Sequence, residues 1–409
     1  MRVVILPIWV IVMMWSSWQL GNKTVPNALV RAATYEGLAD GNGFPTPKLS
    51  RLYAQLAESG IGMIITGFCY INSSGRAMQP RQCGIDSDDK IEPWRGIVNH
   101  TREANDQTIL VMQIAHAGRQ TVQRSSAVPV LAPTSKGSPY FRSAPVAMNS
   151  DQITETISDF IAAARRACKA GFDAVELHGA HGYLIHQFLS PDINDRRDRW
   201  GRDRLAFLRE IITGIQADLG DQFPLIVKIS AGDDCPSGVG PELAAKYAAE
   251  LAQLGIAAIE VSYGTMDLAL NIFRGGVPVN RALKYNPLFA TRPPWQRLLW
   301  SVTEFPKLRR RLKPFTKNYN RAAARIIRSQ TKIPLILVGG IRSAASINQM
   351  LEAGEIDAAA MCRPLIRDPG LARKFKQGES QRSSCTNCNR CAIMCDSDIS
   401  LRCYGREKS

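Results

Sequence analysis

The chain has 409 residues, 45% of them hydrophobic and 21% charged. That balance supports a large buried core and excludes a mainly disordered or fibrous chain. The net charge of +15 admits an anionic partner, although a well-solvated surface gives the same excess. The densest basic stretch, Lys307, Arg309, Arg310, Arg311 and Lys313, lacks interleaved aromatics, so no nucleic-acid partner is expected.

Arg2 is followed by an apolar run from Val3 to Trp15. The run is too short to span a membrane, and no small-x-small cleavage site follows it. Residues 1–19 read as a divergent apolar segment without stable membrane insertion. Beyond it, short runs rich in Val and Ile alternate with helical patterns. Eight strands are expected, at Ala28–Ala33, Gly62–Gly67, Thr108–Gln113, Phe172–His178, Leu225–Ser230, Ala257–Ser262, Pro334–Gly339 and Ile356–Met361. Runs apolar on both faces suit parallel strands covered by helices, and the alternation argues an α/β chain.

Thr46-Pro47 marks one helix start. Ile153, Ile157, Phe160, Ile161, Ala164 and Cys168 recur at helical spacing up to Gly171. Ser343 opens a helix that Gly354 ends. Eight β/α units within residues 20–380 predict one (β/α)₈ TIM barrel, and no GxGxxG follows a strand to suggest a dinucleotide fold. Thr265–Thr316, between strands six and seven, reads as a long, irregular, basic insertion of the kind that forms lids. Residues 381–409 form a Cys-rich tail.

The densest chemistry follows the fourth strand, on the catalytic face of a barrel. His178 and His181 can jointly hold one carbonyl oxygen, and Tyr183 can deliver a proton. Zinc is the competing use, with His186 as a third ligand. Gly339-Gly340 and Cys362-Arg363 follow strands seven and eight, where barrel phosphate sites form. The tail reads Cys385-x₂-Cys388-x₂-Cys391-x₁₁-Cys403, with Cys395 between. That spacing suits an iron–sulfur cluster, zinc or unligated thiols. One terminal cluster in a large chain argues a cytoplasmic protein rather than a secreted disulfide scaffold.

The run HGAHGYLIHQFLSP, His178–Pro191, resembles the substrate segment of the old yellow enzyme family. Gln113-Ile114-Ala115-His116-Ala117-Gly118-Arg119 resembles that family's third-strand motif. The likeness extends over residues 20 to 405 and includes bacterial ene-reductases and the barrel domains of 2,4-dienoyl-CoA reductase and trimethylamine dehydrogenase. It implies FMN at the carboxyl end of the strands, NAD(P)H as reductant and a small-molecule substrate with an activated C=C bond. It also implies that Gln113 meets the flavin pyrimidine edge. Ala33 and Thr34, with Gly67 and Phe68, would contact the isoalloxazine. Lys228 would stand near flavin N1 as a cation that tunes the cofactor, and Gly339, Gly340, Cys362 and Arg363 would hold the phosphate.

Ala28 departs from the Arg usual in the family, and Cys362 stands where many relatives have Gly. The tail is similar to the [4Fe–4S] segment of the dienoyl-CoA reductase branch, which implies Cys385, Cys388, Cys391 and Cys403 as ligands. Three readings follow: an ene-reductase, an amine- or ether-cleaving flavin/iron–sulfur enzyme, and a non-enzymatic redox sensor. The complete His178, His181 and Tyr183 set counts against the sensor.

Overall fold

The structure, a computed structural model, describes residues 13–122 and 128–405. Most of the N-terminal apolar run, residues 3–12, lies outside the described residues. Residues 13–19 already belong to the fold. Met14 is buried and its N–H donates to Asn348 Oδ1 at 2.9 Å. Trp18–Leu20 then pairs antiparallel with Lys23–Val25.

Eight parallel strands follow: β1 Leu29–Arg31, β2 Met63–Ile65, β3 Ile109–Ala115, β4 Ala174–Gly179, β5 Leu225–Ser230, β6 Ala258–Ser262, β7 Leu335–Val338 and β8 Ala358–Met361. Each pairs with the next, and β8 pairs back onto β1 with Met361 opposite Arg31. The sheet is thus a closed barrel without free edges. All eight strands fall within or beside the expected runs. β3 continues two residues past the expected end because a short strand, Cys69–Tyr70, pairs with Ile114 and Ala115.

The helices form the outer layer. Ser150–Lys169 starts on a capping box, in which Asn149 Oδ1 accepts from Gln152 N–H and Gln152 Oε1 accepts from Asn149 N–H. This satisfies two of the donors a helix start leaves open. Its Phe160 packs edge-on against Phe207 of the helix Ala206–Leu219, and Phe207 stacks on Phe188 at 4.1 Å between centroids. Pro47–Glu58 begins behind Thr46, and Ala344–Glu352 begins behind Ser343.

The insertion between β6 and β7 differs from the irregular loop expected. It holds a 3₁₀ turn, Met266–Leu268, and the helices Ala269–Phe273, Val279–Tyr285, Pro287–Ala290 and Pro294–Arg311. Pro287 and Pro294 sit at helix starts, where a missing N–H costs nothing. The last three helices bury no residue. They therefore lack the core-facing periodicity by which a helix is read from sequence.

Candidate active site

The carboxyl ends of the strands surround a partly open cleft. Ala33, His181, Lys228, Gly339, Gly340, Cys362 and Arg363, all singled out in the sequence, line it. Two glycines are needed where β7 ends. Gly340 has φ +74°, and a Cβ there would lie 2.8 Å from Thr316 O; a Cβ at Gly339 would lie 2.5 Å from Asn320 Nδ2. Arg342 and Arg363 add two guanidinium groups to the same wall. The buried Arg342 Nε has no hydrogen-bond partner, whereas Arg363 Nη1 donates to Arg274 O at 3.0 Å and to Asn389 Oδ1 at 2.5 Å. Close-approaching backbone beside two cations fits a phosphate.

Deeper in the barrel, four polar residues cross adjacent strands. Gln113 Nε2 donates to Glu176 Oε1 at 2.5 Å, and Lys228 Nζ donates to Glu260 Oε2 at 3.1 Å. Burial, then repulsion from Glu260, holds the Glu176 carboxyl well above the usual carboxylate range. Burial pulls Lys228 down, but Glu260 and Glu176 outweigh it and keep the ammonium above its ordinary value. Lys228 is therefore a buried cation at the cleft floor. Glu176 Oε2 and Glu260 Oε1 are buried without partners, which is costly unless a ligand supplies them.

The histidines and Tyr183 come together beside the cleft. His178 lies 4.9 Å from His181 and 4.8 Å from Tyr183 between ring centroids, and Phe68 lies 5.3 Å from Tyr183. His181 and Gly182 both take left-handed backbone, φ +61° and +79°. Such strain in a non-glycine residue is concentrated at functional sites. His181 N–H donates to Ser230 Oγ at 3.0 Å, and its Nε2 lies 2.7 Å from Ser262 Oγ. The buried Nδ1 of His178 has no partner. Burial, then the nearby Lys228 and His186, holds His178 well below the ordinary imidazole range. Burial, then His178, does the same for His181. Both rings are neutral at pH 7. Burial also raises the Tyr183 phenol above its usual range, with Asp396 and Cys395 adding to the effect.

Four expected contact residues, Gln113, Thr34, Gly67 and Phe68, do not line the cleft. Gln113 is committed to Glu176. Thr34 Oγ1 donates to Ala32 O at 2.9 Å and touches Cys362 Sγ at 3.1 Å. Gly67 makes room for Glu36, whose Oε2 lies 2.3 Å from where a Cβ would stand. The buried Arg31 escaped the sequence reading. It bonds Ala32 O and Thr34 Oγ1 and lies 3.7 Å from Glu36. An Arg inside an apolar strand run was the available signal. Glu260 gave the same signal in β6. The insertion is tied to the histidine loop through Met266 N–H, which donates to His181 O at 2.8 Å, and to the segment after β3 through the Arg119–Asp267 pair at 3.2 Å.

The tail folds back onto this rim. Cys385, Cys388, Cys391 and Cys403 line a second cavity, which shares Arg363 with the cleft. Among the described residues no three His, Cys, Asp or Glu side chains are gathered as a metal-ion site. The four thiols surround a space rather than converge on a point. All ten cysteines are unpaired.

A closed β/α barrel with a cationic cleft at its carboxyl rim and a His/His/Tyr group beside it defines the flavin-dependent barrel oxidoreductases. The profile of the NADH:flavin oxidoreductase / NADH oxidase family matches residues 14–273. The chain belongs to that family, which includes the old yellow enzymes, and is an NAD(P)H:flavin oxidoreductase that uses FMN. It is 29% identical over 378 residues to the 4,4'-dithiodibutanoate disulfide reductase of Rhodococcus erythropolis, covering 91% of this chain and 90% of that protein. It is 27% identical to a metal reductase of Desulforamulus reducens, covering 92% of this chain but 50% of that protein. An old yellow enzyme homologue from Zymomonas mobilis shares the fold, with a TM-score of 0.66 at 24% identity over 90% of this chain and 93% of that one.

Asp396 links the tail to the aromatic group. Its carboxylate accepts from Gln79 Nε2 at 2.9 Å and Asn286 Nδ2 at 2.7 Å. Burial pushes this carboxyl up to about 6, from about 3.9 in an unfolded chain. An acid whose folded value is raised stabilises the fold below the unfolded value. It loses that contribution as pH rises through the folded value. Wild-type stability should therefore fall between pH 4 and pH 6 by at most about 3 kcal/mol through this group. Asp396→Asn should flatten that part of the profile. Urea midpoints across this range measure it, and an unaltered slope in the variant would refute the assignment.

Proposed function

We propose that the chain reduces the activated C=C bond of an α,β-unsaturated carbonyl compound at the cleft rim. The observation that carries this reading is the contact of His178, His181 and Tyr183 beside a cleft built for an anionic cofactor. FMN bound there would supply two-electron hydride chemistry between NAD(P)H and the alkene. Gly339, Gly340, Arg342 and Arg363 would hold its phosphate, and Lys228 would compensate negative charge at the cleft floor.

The chain's own residues do the rest. Two neutral imidazoles can each donate one N–H to a substrate carbonyl, where negative charge grows as the alkene is reduced. With Nε2 of His181 held at Ser262, Nδ1 is the nitrogen left for a ligand, and in His178 the buried Nδ1 has no partner. The Tyr183 phenol stays protonated at working pH because burial raises it. It is therefore able to give its proton to the α-carbon. Phe68 and the insertion exclude water around it. Ten unpaired thiols suit a reducing cytoplasm.

The cavity lined by Cys385, Cys388, Cys391 and Cys403 supports a second element. These four thiolates would hold a [4Fe–4S] cluster, which supplies single-electron exchange. This keeps open an electron-transferring role such as amine or ether cleavage.

Two outcomes test these readings. Tyr183→Phe should leave flavin bleaching by NADPH near wild type and slow reoxidation by cyclohexenone about 10²–10⁴-fold. His178→Ala should slow the same half-reaction about 10²–10³-fold and also weaken binding of phenols that mimic the enolate. Stopped-flow absorbance separates the two half-reactions; unchanged reoxidation in Tyr183→Phe would show that the proton comes from elsewhere. For the tail, anaerobically purified protein should contain iron and acid-labile sulfide, and Cys388→Ser should lose both. Iron-free wild-type protein with full activity would remove the cluster from the account.

A further inference from the structure

The helix Pro294–Arg311 carries an apolar stripe on its outer side. Trp295 is 64% exposed, Leu298 66%, Leu299 52% and Val302 62%. The spacing i, i+3, i+4, i+7 sets all four on one face. The opposite side holds the helix to the protein. Trp300 packs on Phe289 at 4.8 Å between centroids, and Arg297 Nη1 donates to Leu283 O at 3.3 Å. The stripe is therefore a second face that the fold does not use. In a cytosolic protein such a face is unfavourable to leave in water.

Charge decides what covers it. Between Arg292 and Lys317 there are eight Lys and Arg residues and one acidic residue, Glu304. That is a net +7 out of +15 for the whole chain. Glu304 is taken by Lys307 at 2.9 Å, and Lys313 turns toward Asp234 at 3.7 Å. Arg309 and Arg310 are exposed. They lie beyond Pro306, at the cationic carboxyl end of the same helix.

We propose that this helix docks the enzyme on an anionic lipid surface. Trp, Leu and Val would enter the headgroup boundary while the arginines meet acidic headgroups, the pattern of helices that lie in a membrane interface. No helix among the described residues is long and apolar enough to cross a membrane, so the contact is peripheral. A second copy of the chain fits less well. Four side chains fall short of the roughly 800 Å² each partner buries in a stable complex, and each copy would bring its own cationic end. Both ends of the insertion return to the cleft, where Ile272 and Tyr319 form part of the wall. Docking would thus bring a lipid-dissolved substrate near the rim, although the docking itself does not rest on the reductase reading.

Co-sedimentation of the full chain with vesicles tests this. One set is phosphatidylcholine alone and the other contains about 30% phosphatidylglycerol. Binding should be at least about tenfold tighter to the anionic vesicles and should weaken as salt shortens the screening length. Leu298→Gln with Val302→Gln, and separately Arg309→Gln with Arg310→Gln, should each reduce it about tenfold or more. FMN content and NADPH turnover should be unchanged in both variants, since neither pair touches the cleft. Binding that ignores headgroup charge, binding that survives both pairs of substitutions, or no binding at all would overturn the proposal. So would a wild-type dimer in light scattering that Leu298→Gln dissolves, since the face would then belong to a second copy.

Discussion

The pairing of β8 with β1 is the constraint on which the rest depends. A sheet of eight parallel strands has two unpaired edges until Met361 comes opposite Arg31. Closure removes both edges and directs every strand's carboxyl end to one rim. It also brings the two most distant parts of the chain together at that rim. Ala32 N–H donates to Met361 O at 3.1 Å, and Thr34 meets Cys362. Without that seam the cleft would lack a wall, because Ala33 comes from one side of it and Cys362 and Arg363 from the other.

Inside the ring the barrel carries charge that a solely structural core would not retain. Lys228 and Glu260 are almost fully buried, 3% and 0% exposed. A buried pair of this kind is weak evidence for stability, because desolvation offsets most of the attraction. What the pair does is hold a cation at the floor of the cleft. Burial keeps His178 and His181 neutral, and Lys228 adds to the effect.

Much of this was legible in the sequence, for identifiable reasons. Strands buried on both faces announce themselves as runs such as Leu225–Ser230, and helix starts at Pro47 and Ser343 carry local signals. That the residues after β4, β7 and β8 would gather at one rim was legible because a barrel puts strand ends on one face. Three features were not. The last three helices of the insertion bury nothing, so they leave no periodic trace. Arg31 and Glu260 sit within apolar strands, where sequence alone does not show which neighbour across the barrel each will meet. The return of the tail to the rim, with Asp396 reaching Gln79 and Asn286, depends on contacts between residues more than a hundred positions apart.

The central claim is that this cleft holds FMN and passes electrons from NAD(P)H to an activated alkene. An anaerobic absorbance titration of the pure protein tests it most directly. NADPH should bleach the visible flavin band, one equivalent of cyclohexenone should restore it, and the boiled protein should release FMN. A colourless protein that cannot take up FMN, or a bleached band that cyclohexenone leaves unchanged, would contradict the account.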